Sequence, residues 1–162
     1  MPVVVLVGTL DTKGDELRYV RDRVRDAGCD TLVVDIGIRS TDTWADVPAD
    51  EVARAAGEDR AELARVGDRG PAVMAMTRGL VEVVSRLHAE GRLDGIAGVG
   101  GSGGSSMIAS AMQALPVGVP KLLVSTMASG DTRPYVGTSD VAMLFSVVDI
   151  AGLNQLSERI LT

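Results

Sequence analysis

Short apolar runs alternate with segments of helical periodicity along most of the chain. Four of the runs have the length and composition of buried strands, at residues 3–7, 31–36, 95–99 and 121–125, and a fifth apolar run covers residues 141–145. Apolar residues at helical spacing fill the intervals, over residues 15–27, 49–56, 73–88 and 107–115, and a last helix is predicted from Leu153. The remaining segments, 37–48, 57–70 and 125–140, are polar or charged and are predicted to be mainly loops.

This alternation is typical of right-handed βαβ crossovers, which place helices on both faces of a parallel sheet. We therefore predict the α/β class, with a three-layer, Rossmann-like or flavodoxin-like, doubly wound and mainly parallel sheet. The length of 162 residues suits a single domain over residues 1–162. A core made almost wholly of aliphatic side chains agrees with buried parallel strands, because only 2% of the residues are aromatic.

The charge balance excludes one class of partner. Sixteen basic and 22 acidic residues give a net charge of −6, and the basic residues do not form a run. A surface that binds nucleic acid requires a positive patch, so we expect no nucleic-acid partner.

Cys29 is the only cysteine and His88 the only histidine, which excludes an internal disulfide and the usual zinc sites. No apolar stretch approaches the length of a membrane span or a signal sequence, so we expect a cytoplasmic protein without a membrane partner.

The segment GVGGSGGSS, residues 98–106, is the most distinctive local pattern. It follows a predicted strand and precedes a predicted helix, where bare backbone and unpaired N–H groups favour the binding of phosphate. The alternative is a tight structural turn that needs glycine only for packing. The residues predicted to hold phosphates in this glycine-rich loop are Gly100, Gly101, Ser102, Gly103, Gly104, Ser105 and Ser106.

The glycine spacing by itself does not define a known fingerprint. Gly98, Gly100 and Gly103 satisfy G-x-G-x-x-G, but that pattern belongs after the first strand and requires an acid at the end of the next one. The strand that follows ends in Ser125, and no Lys-Ser or Lys-Thr pair completes a P-loop. Asp35, at the end of the second strand, is a candidate for a ribose diol and equally for a turn cap.

Two further loops follow predicted strands and carry polar residues. Because ligands of open parallel sheets bind beyond the carboxyl ends of the strands, we expect these loops and the glycine segment at one shared edge. The first loop, within GTLDTKGDE, supplies Gly8, Thr9, Asp11, Thr12 and Lys13. The second, within residues 125–140, supplies Ser129, Gly130, Arg133, Thr138, Ser139 and Asp140.

The charged residues of these loops have two interpretations each. Lys13 is a candidate phosphate partner or a solvated surface lysine, and Arg133 a candidate phosphate partner or the ion-pair partner of Asp131 or Asp140. Asp11, Asp131 and Asp140 are candidates to hold Mg²⁺ beside phosphates, or else are loop caps. No catalytic residue is predicted, because the serines lack a nearby histidine to activate them.

Five blocks carry a resemblance to a known family: GTLDTKGDE, DVPADEVARAAG, GVGGSGGSS, residues 115–140 and SVVDIAGLN. In this order they resemble an uncharacterised family of bacterial and plant proteins that includes the tomato mosaic virus resistance protein. The resemblance covers the whole chain and implies an amino-terminal, Rossmann-like, ATP-binding domain. It also implies that a second α/β part follows in the longer family architecture.

The sequence therefore predicts a domain that binds a nucleotide, with ATP as its cofactor and Mg²⁺ as a candidate second one. One alternative is half of an enzyme, completed by a second domain and acting on a phosphorylated or carboxylate metabolite. Another is a protein-interaction module. The closing helix carries an apolar stripe of Leu153, Leu156, Ile160 and Leu161, which predicts a homo-oligomer or docking on a second domain.

Overall fold

A parallel sheet of five strands lies at the centre of the computed structural model, which describes residues 1–41, 44–148 and 152–162. The strand order is β2-β1-β3-β4-β5, and every neighbouring pair runs parallel. This is the flavodoxin-like order, in which the chain turns in opposite directions from β1. The strands are β1 (Val3–Gly8), β2 (Asp30–Asp35), β3 (Gly95–Gly100), β4 (Lys121–Ser125) and β5 (Ala142–Phe145).

Helices connect the strands and cover both faces of the sheet. Within the described ranges they are α1 (Leu10–Asp26), α2 (Ala49–Ala55), α3 (Arg60–Val66), α4 (Arg69–Ala89), α5 (Ser102–Ala114), α6 (Arg133–Val136) and α7 (Gln155–Leu161). A short 3₁₀ turn, Thr126–Ser129, follows β4. None of the helices in the described ranges is both long and apolar enough to cross a bilayer.

The two faces of the sheet bury cores of different size. On one face, Leu10 and Leu17 of α1 pack with Leu6 and Val33 of the sheet. On the other face, side chains of α2, α4 and α5 form the larger core with the strands. The predicted three-layer α/β fold is thus confirmed, because burial on both faces is what the aliphatic strands require.

The glycine-rich segment differs from its prediction. Helix α5 begins at Ser102, so residues 102–106 form the first turns of a helix and not a loop. Gly100 makes the sharp turn possible, because a Cβ on it would lie 2.7 Å from the main-chain nitrogen of Ser105. The prediction of a glycine-rich loop over residues 98–106 is therefore wrong, because residues 98–100 end β3, residues 102–106 begin α5, and only Gly101 lies between them.

The sequence pattern also failed to predict the first turn of α1 and the whole of α3. Helix α1 starts at Leu10 rather than at residue 15, with a break at Lys13, where φ is −124° and ψ is 21°. Helix α3 lies in the charged segment 57–70 and buries none of its residues, so it lacks the apolar stripe that predicts a helix. Its capping residues were the available signal: Asp59 accepts a hydrogen bond from the N–H of Glu62, and Gly67 ends the helix with a φ of 74°.

Candidate functional site

A cavity of about 650 Å³ opens at the carboxyl ends of β1 and β3. The strand order reverses at this point, and open α/β sheets bind their ligands at such a position. One half of the wall is polar or charged, with Asp11, Lys13, Arg39, Asp68 and Arg69. The other half is apolar, with Ile36, Ile38, Leu63, Val73 and Met107.

Three helix amino termini line this cavity. They are the starts of α1, α4 and α5, represented in the wall by residues 9–13, 67–69 and 101–104. The N-cap residues Thr9 and Gly101 make no side-chain capping hydrogen bond, whereas Asp68 accepts one from the N–H of Gly70. First-turn N–H groups have no partner inside a helix and lie at the positive end of its dipole. The geometry is therefore favourable for an anion.

Arg69 lies directly against the glycine-rich start of α5. A Cβ built on Gly103 would be 2.8 Å from Nη2 of Arg69, whereas a Cβ on Gly104 would meet no atom within 4 Å. The guanidinium and the exposed main chain of α5 thus face the same space. Sequence reasoning missed both Arg69 and Arg39, because they belong to segments that only the tertiary structure brings beside the glycines.

Residues at the start of α1 make several polar contacts at the cavity wall. A carboxylate oxygen of Asp11, Oδ2, accepts a hydrogen bond from the main-chain N–H of Arg39 at 3.3 Å. Nζ of Lys13 lies 3.9 Å from Oε1 of Glu16, and the Lys13 side chain is 12% exposed. Thr9 and Thr12 share a hydroxyl hydrogen bond of 2.5 Å at the start of α1. Of the predicted residues, the cavity thus brings together Thr9, Asp11, Thr12, Lys13, Gly101, Ser102, Gly103 and Gly104.

Asp35 has the geometry of a turn cap. It is 1% exposed, and its Oδ1 accepts hydrogen bonds from the N–H groups of Leu10, at 3.1 Å, and Gly37, at 2.8 Å. Burial raises the pKa of Asp35, while hydrogen bonds from Ser40 and from the two main-chain groups oppose this rise. The side chain fastens the end of β2 to the start of α1, beneath the cavity-lining residues.

Three predicted site residues, Gly8 at the end of β1 and Ser105 and Ser106 in α5, do not line the cavity. Gly8 leaves no room for a side chain, since a Cβ there would lie 2.4 Å from Cδ1 of Leu17. Ser105 is fully buried, and its Oγ lies 2.5 Å from Oγ of Ser125 at the end of β4. Ser106 turns back to its own helix, with its hydroxyl donating to the carbonyl of Ser102 at 3.2 Å.

Residues after β4 lie apart from the cavity. The guanidinium of Arg133 donates two hydrogen bonds of 2.9 Å to the carboxylate of Asp131, so the structure shows the ion-pair alternative. The hydrogen bonds from Arg133 stabilise the charged carboxylate and thereby lower the pKa of Asp131. Ser129 and Gly130 are exposed beside this pair.

Asp140 lies at the opposite edge of the sheet. Its Oδ1 accepts a hydrogen bond of 2.6 Å from Nζ of Lys121, the first residue of β4, and its Oδ2 accepts one of 2.8 Å from the N–H of Gly118. These donors, Lys121 above all, lower the pKa of Asp140 to about 2. The expectation that the whole segment 125–140 lies at the carboxyl edge is therefore wrong. A connection between parallel strands must return to the amino edge, which takes Thr138, Ser139 and Asp140 with it.

Fold and cavity together define a flavodoxin-like α/β domain with an anion-compatible pocket at its topological switch point. The family follows from comparison with known proteins. Residues 2–162 match the model described as Uncharacterised protein family (UPF0261) N-terminal domain, and the chain belongs to this family. The resemblance predicted from the sequence blocks is thereby confirmed at the level of the family.

Relatives come from bacteria and from a plant. A UPF0261 protein of Clostridium tetani is 44% identical over 160 residues, which are 98% of this chain and 40% of that protein. A ToMV susceptible protein and a ToMV resistance protein of Solanum lycopersicum are each 37% identical over 177 residues, covering 99% of this chain and 24% of theirs. The chain thus spans about 40% or less of the length of these relatives.

Proposed function

We propose that the cavity between β1 and β3 binds a nucleotide through its phosphates, with ATP as the first candidate. The observation that carries this proposal is the convergence of three helix amino termini on a cavity that also contains Lys13, Arg39 and Arg69. Helix amino termini bind phosphate through main-chain N–H groups, and arginine adds charge-assisted, bidentate hydrogen bonds.

The apolar half of the cavity gives the rest of the ligand a place. Ile38, Leu63 and Val73 contribute aliphatic surface to the same cavity. Small-molecule sites typically combine a mostly apolar lining with a few polar groups that fix orientation. In this proposal the phosphates contact α5 and Arg69, and the base packs on the aliphatic side chains. Such a role suits the cytoplasmic location that the sequence predicts, which stays a prediction.

Gly103 tests whether the residues present fit a phosphate. Because Gly103 has no Cβ, the guanidinium of Arg69 lies against the first turn of α5, and an anion beside them would contact both the guanidinium and the main chain. If Mg²⁺ accompanies the phosphates, Asp11 is the sequence-predicted carboxylate at the cavity wall that would hold it, and Asp68 also lines this wall. Of the other two carboxylates predicted for this role, Asp140 lies at the amino edge beside Lys121, and Asp131 pairs with Arg133.

A ligand panel tests the proposal directly. The melting temperature and calorimetric affinity would be measured with ATP, ADP, AMP and inorganic phosphate, each with and without Mg²⁺. A ligand that binds the native state raises the melting temperature, and the increase should grow from AMP to ATP as phosphates are added. If none of the four ligands changes the melting temperature or produces binding heat, the nucleotide proposal is wrong.

A second candidate function is that of one half of an enzyme, whose active site is completed by another domain. Exposed apolar side chains favour this candidate. Leu122 and Leu144 lie on the same face of the sheet as α1, on the strands β4 and β5, and are 41% and 42% exposed. Leu156 of α7 is 43% exposed. Since the family proteins are much longer than this chain, we propose that one of their further domains covers this surface. An enzyme active on a phosphorylated or carboxylate metabolite would then be assembled from both parts.

A further inference from the structure

Glu16 carries an unusual buried charge next to the proposed nucleotide site. It lies in α1 and is 4% exposed. Its Oε1 accepts a hydrogen bond of 3.0 Å from the N–H of Gly152 and lies 3.9 Å from Nζ of Lys13. Among the described residues, Oε2 has no hydrogen-bond partner. A buried carboxylate with an unsatisfied oxygen costs free energy, so packing alone does not account for a glutamate at this position.

Lys13 forms part of the wall between two spaces. It lines the nucleotide cavity and also a small internal cavity of about 30 Å³, which it shares with Glu16, Thr126 and Ser146. Glu16 lines this internal cavity and a third, open cavity beside Arg18 and Trp44, but it does not line the nucleotide cavity. A phosphate in the larger cavity would therefore meet the ammonium group before it met the carboxylate.

We propose that Glu16 is a positioning residue that holds the ammonium group of Lys13 at the wall of the nucleotide cavity. The inference rests on the proposed function, since Lys13 needs a fixed position only if an anion binds there. A free lysine side chain loses considerable rotamer entropy when a ligand orders it. When a buried carboxylate already holds the ammonium group, the lysine loses this rotamer entropy during folding and not during binding. More of the interaction with phosphate then contributes to affinity.

The first test needs no ligand, because it measures how accessible the lysine amines are in the protein alone. The sequence contains two lysines, Lys13 and Lys121. Reductive methylation followed by peptide mass spectrometry reports the accessibility of each amine. Glu16→Gln keeps the side-chain volume and an acceptor for the N–H of Gly152 but removes the charge. We expect the methylation rate of Lys13 to rise about threefold or more, since its ion pair with Glu16 is lost. An unchanged Lys13 rate would overturn the inference.

Lys121 serves as the internal control of this measurement. Its side chain is fully buried and bonded to Asp140, so its rate should stay the same in a folded variant. If both rates rise, Glu16→Gln has unfolded the protein, and Glu16→Asp replaces it. The aspartate retains the charge but is one methylene shorter, so it should also release Lys13 while Lys121 stays protected. Equal Lys13 rates in Glu16→Asp and wild type would contradict the proposal.

The second test measures ATP affinity in a double-mutant cycle. We expect Glu16→Gln to weaken binding about fivefold and Lys13→Ala about tenfold, and the double variant to bind like Lys13→Ala, because Glu16 acts through Lys13. If Glu16→Gln weakens binding equally in both backgrounds, Glu16 acts through the fold and the inference fails. If wild type does not bind ATP, the proposed function fails instead, and the methylation rates still report whether Glu16 holds Lys13.

Discussion

Arg69 and Gly103 come from segments more than thirty residues apart in the chain, yet Nη2 of Arg69 lies 2.8 Å from the position of a Cβ on Gly103. The contact joins the amino terminus of α4 to that of α5. It places the guanidinium over the main chain of a helix start that has no side-chain cap. The affinity for phosphates should therefore depend on both residues, although for different physical reasons.

Replacing Gly103 by valine should block the anion position. The branched side chain would displace the guanidinium of Arg69 and cover the main chain of the first turn of α5, so we expect ATP affinity to fall at least about tenfold. The loss of stability should be small, because the atom that the new Cβ meets is the end of a flexible side chain. Calorimetry and thermal melting measure the two effects. Ser110→Val, a branched substitution farther along α5, is the control, and wild-type affinity in a folded Gly103→Val protein would place the phosphate elsewhere.

Removing the guanidinium of Arg69 should weaken ATP binding without loosening the fold. A charge-assisted hydrogen bond to phosphate contributes about 1.5–3 kcal/mol, so Arg69→Ala should reduce affinity roughly tenfold or more. Arg133→Ala is the matched control, because Arg133 is exposed and paired with Asp131. Titration calorimetry of both variants decides between the two arginines. An equal loss in both variants, or a loss only in Arg133→Ala, would contradict the assignment of Arg69.

The glycines around the turn into α5 should differ sharply in their tolerance of alanine. A Cβ on Gly100 would lie 2.7 Å from the main-chain nitrogen of Ser105, and main chain cannot move aside as a side chain can. Gly100→Ala should therefore lower the free energy of unfolding by several kcal/mol, on the scale of other overpacking changes, about 1–3 or more. Gly104→Ala meets open space in a helix and should stabilise by up to about 1 kcal/mol. Urea unfolding measures both values, and similar effects at the two positions would contradict the geometry.

The pair of Lys121 and Asp140 should make stability depend on acid pH. The folded-state pKa of Asp140 is lowered from 3.8 to about 2, so the pair contributes its full stabilisation above about pH 3.8 and loses it as the pH falls through about 2. Asp140→Asn should melt at a lower temperature than wild type at pH 7, because it leaves the buried Lys121 ammonium without its carboxylate. The difference in melting temperature should shrink between these two pH values.

Asp131→Asn is the control for this pH dependence, because Asp131 belongs to an exposed pair. Its melting temperature at pH 7 should stay close to that of wild type. A constant difference between Asp140→Asn and wild type from pH 7 to pH 2 would show that the Lys121 pair does not contribute in this way.

The exposed apolar side chains of Leu122, Leu144 and Leu156 should cause the isolated chain to self-associate. In the absence of another domain, a second copy is the available cover for this surface, and two-fold dimers are the commonest arrangement. Light scattering during gel filtration should show a mass above that of a monomer, and Leu144→Glu should shift it towards the monomer. Val66→Glu is the control, since Val66 is 62% exposed on α3. A monomer mass at all micromolar concentrations would refute the prediction.

Much of the fold was predictable because hydrophobic periodicity is a local property. The strand cores and the long helix α4 followed from apolar spacing within short windows of sequence. Helix α3 did not, because it buries none of its residues and its caps are the only local signal. The start of α5 was misread for a related reason: glycine and serine have low helix propensity, and the end of β3 and the packing of Ser105 against Ser125 override it.

The sequence by itself determined the α/β class, the parallel sheet and the presence of polar residues after β1 and β3. Only the tertiary structure decided which of these residues meet. Parallel connections bring residues 9–13, 67–69 and 101–104 to one edge and carry Asp140 to the other. Arg69 enters the cavity and Arg133 does not, although both are arginines beside glycine or aspartate in polar segments. The physical reason is that a local pattern encodes which face of an element is buried, whereas the position of a loop depends on strand order and direction.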